Sequence, residues 1–283
     1  MTRPSGSLVY LVFTDLDGTL LDHHTYEWAE AAPALDFCRR HAIPVILASS
    51  KTRAELDLLR RELSLPDPFI SENGGGIYIP MEAESSPPPE AVPDGDLYKW
   101  PLGVPYGEVV KALGEIREEL GWRIRGFSDM DPGEICERTG LQPERARLAA
   151  AREYDEPFVV LERSAVDRDA LTKAAARRGL RVTEGGRFFH LQSRADKGEA
   201  VGRLISWYGQ SYPRVVSVVL GDSPNDFSML ERADFPVLVR SHRDYPHMKA
   251  RIPALTLTGE RGPKGWNRAV LDIMAAKEDV GDD

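Results

Sequence analysis

The sequence predicts an α/β fold: a doubly wound, parallel-sheet core of Rossmann-like type with an inserted α+β unit. Three observations predict it. Short apolar runs at residues 8–13, 43–48, 69–71 and 215–220 each end in a polar cluster. Segments of helical period separate them, the pattern of right-handed βαβ units. Between these halves the pattern restarts with strands, helices and a hairpin of its own. The division expected is a core of residues 1–84 and 190–283 and an insert of residues 85–189.

The elements follow in order. Leu8-Val9-Tyr10-Leu11-Val12-Phe13 reads as a fully buried strand. A polar stretch at 22–27 precedes a helix over 29–41. The run 43–48 is a second strand, with Pro44 at its start, where a missing donor is tolerated. A helix then carries Leu56, Leu59 and Leu63 on one face. Pro66-Asp67-Pro68 breaks the chain before a short strand at 69–71, which ends in Glu72-Asn73-Gly74-Gly75-Gly76. Residues 81–95, with Pro87-Pro88-Pro89, read as a linker. The insert should hold strands at 97–100, 122–127 and 158–161, and a helix over 106–120. Further helices are expected at 132–138, 143–152 and 167–178. A hairpin, 180–183 with 187–191, turns at Glu184-Gly185-Gly186. The core resumes with a helix opened by Asp196-Lys197-Gly198-Glu199, a capping-box-like start. A buried strand at 215–220, a helix at 227–233, short strands at 236–239 and 254–257 and a helix at 264–277 complete it, before an acidic tail.

Composition narrows the function. The 283 residues include 36 Lys and Arg against 45 Asp and Glu, a net charge of −9. A nucleic-acid or anionic-membrane binder normally presents a basic face, so neither partner is expected. The two cysteines, Cys38 and Cys136, have no metal-ligand spacing, and reduced thiols in a cytoplasmic protein are the expectation. Residues 1–7 lead into only six apolar residues, too few for a signal peptide or a membrane span.

The chemistry lies at the strand ends. Asp15-Leu16-Asp17-Gly18-Thr19-Leu20 follows the first strand. Ser49-Ser50-Lys51 follows the second, Lys197 opens a helix, and Gly221-Asp222-Ser223-Pro224-Asn225-Asp226 follows the strand at 215–220. Ligands of open α/β sheets bind beyond the carboxyl ends of the strands, so all of these clusters should meet on one edge. Crowded carboxylates there ask for a cation or a proton. Phosphoryl transfer needs such a set: a nucleophile, a hard cation and fixed donors for the phosphate oxygens. Either Ser49 or Ser50 could instead cap the following helix.

In spacing and order these clusters resemble the four motifs of the haloacid dehalogenase superfamily, most of whose members are phosphatases. The resemblance implies that Asp15 is the nucleophile, forming an aspartyl phosphate. Asp17 would protonate the leaving oxygen and then activate water. Ser49 would bond a phosphate oxygen, and Lys197 would neutralise Asp15 and the phosphoryl group. Asp15, Asp17 through its carbonyl, and Asp222 would hold Mg²⁺, with Asp226 and Asn225 in or beside that shell.

The insert's position resembles the Cof-like branch, which carries a large α/β cap. Within it, five strings are similar to the mannosyl-3-phosphoglycerate phosphatase family: Ala48-Ser49-Ser50-Lys51-Thr52, Glu72-Asn73-Gly74-Gly75, Gly186-Arg187-Phe188-Phe189-His190, the 221–226 string, and Gly262-Pro263-Lys264-Gly265-Trp266-Asn267. That likeness implies a small anionic sugar phosphate as substrate and mannosylglycerate, a compatible solute, as product. Its glycerate carboxylate wants cations, for which Lys51, Arg187 and Lys264 are candidates. Its sugar wants polar partners, for which His190 and Gln192 are candidates; Glu72 and Asn73, at a strand end, could also touch substrate. Trp100 and Trp122 read as core of the insert. The rivals are the glucosyl ester of the same acid, a phosphomannomutase, a sucrose-phosphate phosphatase, and, from another class, a receiver-like binding module.

Overall fold

The computed structural model describes residues 8–83, 85–162, 166–185 and 187–278. The first seven residues, the middle of the hairpin turn at Gly186 and the end of the acidic tail lie outside them.

The first apolar run forms β1 (Leu8–Thr14), an inner strand of a nine-stranded sheet. On one side of it lie β2 (Val45–Ala48) and β3 (Phe69–Ser71), on the other β11 (Arg214–Gly221), β12 (Phe235–Arg240) and β13 (Thr256–Arg261), all parallel. The order reverses between β1 and β11, which places the topological switch point, where open α/β sheets bind ligands, at the ends of those two strands. Helices cover both faces. One apolar cluster joins α1 (Ala32–Arg40), α2 (Arg53–Glu62) and α10 (Gly262–Glu278) to the sheet through Leu35, Leu56, Trp266 and Val270. The other brings Ala200, Leu204 and Trp207 of α7 (Lys197–Tyr208), Leu230 of α8 (Phe227–Leu230) and Met248 of α9 (His247–Arg251) against Phe13 and Val219.

Beyond β3 the sheet continues antiparallel through β4 (Gly76–Pro80), β6 (Leu97–Pro101) and β5 (Val92–Asp94). Glycines hid β4 from the sequence and Pro93 hid β5, which the structure puts at the sheet edge, where a missing donor is tolerated. Residues 81–95 are therefore not wholly a linker, and Trp100 packs in the core of the large sheet rather than in the insert. Trp122 does pack against the core of the insert.

A second, antiparallel sheet has the order β7 (Ile124–Gly126), β8 (Asp155–Val160), β10 (Phe188–Gln192), β9 (Arg181–Gly185). The helices α3 (Tyr106–Leu120) and α6 (Arg168–Ala176) close one face through Val109, Leu113, Leu171 and Ala174. A smaller cluster joins Ile135 of α4 (Pro132–Thr139) and Ala146 of α5 (Pro143–Ala150) to Phe188. From sheet membership we propose that the insert begins after β6, not at residue 85, and ends with β10, not at residue 189.

Candidate active site

The turn after β1 sets the site. The Asp15 amide donates to Leu220 O of β11 at 2.9 Å, which ties the end of one strand to the end of the other. Its carbonyl accepts from Thr14 Oγ1 at 2.6 Å, and that hydroxyl accepts from the indole of buried Trp266 at 3.0 Å. Gly18 takes φ +85°, and a β-carbon there would stand 2.8 Å from Asp222 Oδ2. Only glycine combines that backbone with so close an approach.

Lys197 is fully buried at the start of α7, whose N-cap is Asp196. Its ammonium donates to Asp15 Oδ1 at 2.6 Å and to Asp226 Oδ1 at 2.7 Å. Burial alone would lower its pKa, but the two carboxylates more than offset that and hold it above the ordinary lysine value. Asp226 Oδ2 accepts from the amides of Asp222 and Ser223, both at 3.1 Å, and from Ser223 Oγ at 2.9 Å. Both oxygens of Asp226 are thus engaged in fixing Lys197 and the 222–226 turn.

Three carboxylates, Asp15, Asp222 and Asp226, can bring one oxygen each within 4.8 Å of the others, around a single ammonium. Burial and crowding show in the titration of Asp15 and Asp222. Asp15 is pushed up to about 8, first by burial and then by Asp226, against the pull of Lys197. Asp222 is pushed up to about 7, by burial and again by Asp226. An all-oxygen donor set short of positive charge fits a hard divalent cation. Asp17 Oδ1, buried and accepting no hydrogen bond, adds an unused acceptor beside it.

The Ser49 string divides its work. Thr52, not Ser49 or Ser50, caps α2: its hydroxyl accepts from the Glu55 amide and the Glu55 side chain bonds back, a full capping box. That leaves Ser49, 2% exposed, with its hydroxyl accepting only a 3.3 Å bond from the Lys51 amide. Lys51 Nζ donates to Asp17 Oδ2 at 2.9 Å and lies 5.3 Å from the Tyr26 ring. Asn73, at φ +56°, accepts through Oδ1 from Asn225 Nδ2 at 3.3 Å and so joins the ends of β3 and β11.

Other candidates fall elsewhere. Glu72 is 1% exposed, and its carboxylate accepts from the backbone amides of Glu153, Tyr154 and Asp155 at 2.8–2.9 Å. It clamps the insert to the core. Burial pushes it up to about 7 against the pull of Arg152. Arg187 is exposed and donates to Arg138 O of α4, within the insert. Lys264 is exposed on the first turn of α10. Its neighbours have packing roles: a β-carbon at Gly265 would meet Glu260 O at 2.3 Å, and Asn267 Oδ1 accepts from the Ala34 amide at 2.9 Å. His190 Nδ1 pairs with Asp155 Oδ2 at 2.8 Å, and Gln192 Nε2 donates to Thr183 Oγ1 at 3.2 Å.

Sequence reasoning missed Arg152 and Asp155. Arg152 Nη1 donates to Ser50 O at 2.9 Å and to Asp155 Oδ2 at 3.2 Å, so it spans core and insert. The signal available was Arg152-Glu153-Tyr154-Asp155-Glu156, a charged string running straight into the apolar β8. It also missed the rings of His23, His24 and His242, whose centroids lie 5.0–6.3 Å apart at the rim near Gly18.

Comparison with known proteins agrees with this geometry. Residues 12–86 match the family of haloacid dehalogenase-like hydrolases. A glucosyl-3-phosphoglycerate/mannosyl-3-phosphoglycerate phosphatase of Methanococcoides burtonii is 39% identical over 96% of this chain and 99% of its own. The chain belongs to this phosphatase family. A Persephonella marina phosphatase of the same name is 34% identical over 93% of this chain and 97% of its own. The phosphatase fold recurs in crystal structures of a Thermoplasma acidophilum protein (20% identical, TM-score 0.65) and a haloacid dehalogenase-like hydrolase of Bacteroides thetaiotaomicron (19%, 0.63). Each covers 94% of this chain and 99% of its own. As a member of this family the phosphatase is a phosphoric monoester hydrolase. Among its described residues no helix is long and apolar enough to cross a membrane.

Proposed function

We propose that the protein is a Mg²⁺-dependent phosphatase of mannosyl-3-phosphoglycerate, releasing mannosylglycerate and inorganic phosphate. One observation carries the reading: the Asp15 carboxylate, at the switch point, is held by buried Lys197 beside Asp222 and Asp226. In the first step an Asp15 oxygen attacks phosphorus, the bond to the glycerate oxygen breaks, and Asp17 gives that oxygen its proton. In the second, water attacks the same phosphorus, Asp17 takes its proton, and the Asp15 carboxylate leaves as it began. Ser49 and Lys197 hold the phosphoryl oxygens. Asp15 and Asp222, with the Asp17 carbonyl, would hold Mg²⁺, whose charge would offset that of the phosphoryl oxygens. Asp226 stands behind them, its oxygens committed to Lys197 and the turn.

The glucosyl ester is a second reading, because both relatives carry the two sugars in their names. A kinetic panel of mannosyl- and glucosyl-3-phosphoglycerate and hexose phosphates, with no bisphosphate activator, tests the proposal. Phosphate release should require Mg²⁺, favour the glycosyl phosphoglycerates, and vanish in Asp15→Asn. A wide preference for hexose phosphates would overturn the substrate; unchanged turnover in Asp15→Asn would overturn the mechanism.

A further inference from the structure

The four-stranded sheet has one largely apolar face and one face that is apolar only in part. Phe158, Phe189 and Leu191 point into the cluster under α3 and α6. On the opposite face, Val159 and Phe188 pack with Phe127, Ile135 and Ala146. Past that patch the face turns polar. Gln192 of β10 stands opposite Asp155 of β8 on one side and Arg181 of β9 on the other. Two residues along β10, on the same face, is His190.

In that single row three polar atoms are buried without a hydrogen-bond partner: Asp155 Oδ1, Gln192 Oε1 and Arg181 Nε. Asp155 is 0% exposed and Gln192 4%. An unpaired buried group costs ~1–3 kcal/mol, so three in one row mark a place whose partner comes from outside the fold. The row adjoins the phosphoryl site, because Arg152 bonds Asp155 Oδ2 and, through Ser50 O, the residue after Ser49.

The chemistry of the row selects its occupant. Two acceptors and one donor on neighbouring strands suit adjacent hydroxyl groups, each of which both gives and takes a hydrogen bond. A carboxylate or phosphate would confront the free oxygen of Asp155. We propose that Asp155, Gln192 and Arg181 seat the neutral polyhydroxyl end of the substrate, the sugar ring, and that the glycerate carboxylate lies away from this row. The assignment of the ring to the glycosyl phosphoglycerate rests on the function proposed above.

The test is a ratio: kcat/KM for mannosyl-3-phosphoglycerate over kcat/KM for p-nitrophenyl phosphate, which has no sugar hydroxyls. It is measured in the wild type, Gln192→Met and Arg181→Met. Loss of folded protein cancels in the ratio. A fall of tenfold or more in either variant supports the seat; ratios within threefold of wild type in both overturn it. If the wild type prefers a hexose phosphate, the substrate reading fails. The seat is then judged by the same ratio with the hexose phosphate as numerator.

Discussion

At the scale of single residues, Lys197 decides most. It is buried completely between two carboxylates, of which Asp226 is itself fully buried and Asp15 nearly so. Lys197→Ala should therefore cost ~3–5 kcal/mol of stability, the penalty for an uncompensated buried charge. It should also lower kcat by ~10²–10³, as loss of a fixed transition-state donor does. Urea unfolding and initial rates measure the two; a variant of wild-type stability would contradict the buried pairing. The raised carboxylates make a second prediction. Asp15, at about 8, and Asp222, at about 7, bind protons in the folded state that the unfolded chain has already lost. Without metal, these two groups make stability fall as pH rises from about 4 towards 8. Mg²⁺ must displace those protons, so its stabilising effect grows over the same range. The rise in Tm on adding Mg²⁺ should be larger at pH 8 than at pH 6. An equal rise would mean that the ion does not bind at Asp15 and Asp222.

At the scale of elements, the 3₁₀ turn at Glu72–Gly74 joins the two sheets. The Glu72 carboxylate receives three amides of the chain entering β8, and the Tyr154 side chain lies on Gly75, Gly76 and Gly103, where a β-carbon would come within 2.5–2.8 Å of it. Glu72→Gln keeps the shape but turns an amide donor towards backbone donors. It should cost ~1–3 kcal/mol, and it should raise KM for the glycosyl substrate more than for p-nitrophenyl phosphate, because Asp155 loses its anchor. Equal changes in both KM values would reduce Glu72 to a structural role. These joints also mark where the sequence was silent. The turn at Asp15–Leu20, the 222–226 turn and the start of α7 were legible because each motif is contiguous with the element that aims it. β4 and β5 were not, since their glycines and proline serve the packing of Tyr154 and a sheet edge, both of them long-range causes. The clamp made by Glu72 was not legible because its partners lie some eighty residues on, where no local pattern points back. Thr52 went unnoticed as the cap of α2 because two serines before it offered the same chemistry.

At the scale of the whole molecule, the apolar clusters do not cross between the sheets: two lie wholly with the large sheet and two wholly with the small one. What joins them is polar and narrow. It includes the Glu72 clamp, Arg152 on Ser50 O, Thr52 Oγ1 on Leu148 O at 2.8 Å, the ion pairs Lys99–Glu153 and Arg145–Glu62, and Tyr154 against its glycines. Interfaces of that kind permit relative motion of their domains, and the substrate must reach Asp15, the proposed nucleophile, which is 7% exposed. The chain crosses between the sheets at Leu102–Gly103, whose amides both donate to Gly75 O, and again after Gln192. Opening about those crossings would break the three bonds to Glu72 while leaving the ladder between β8 and β10 intact. The amides of Glu153, Tyr154 and Asp155 should then exchange hydrogen faster than those of Phe158 and Val160, through opening below the global unfolding free energy. Mg²⁺ with vanadate and mannosylglycerate, which together fill the phosphoryl site and the sugar row, should slow that exchange at least tenfold without changing the interior of β8. Exchange of all five amides at one common rate would show the two sheets moving as a single body, and access to Asp15 would then need another route.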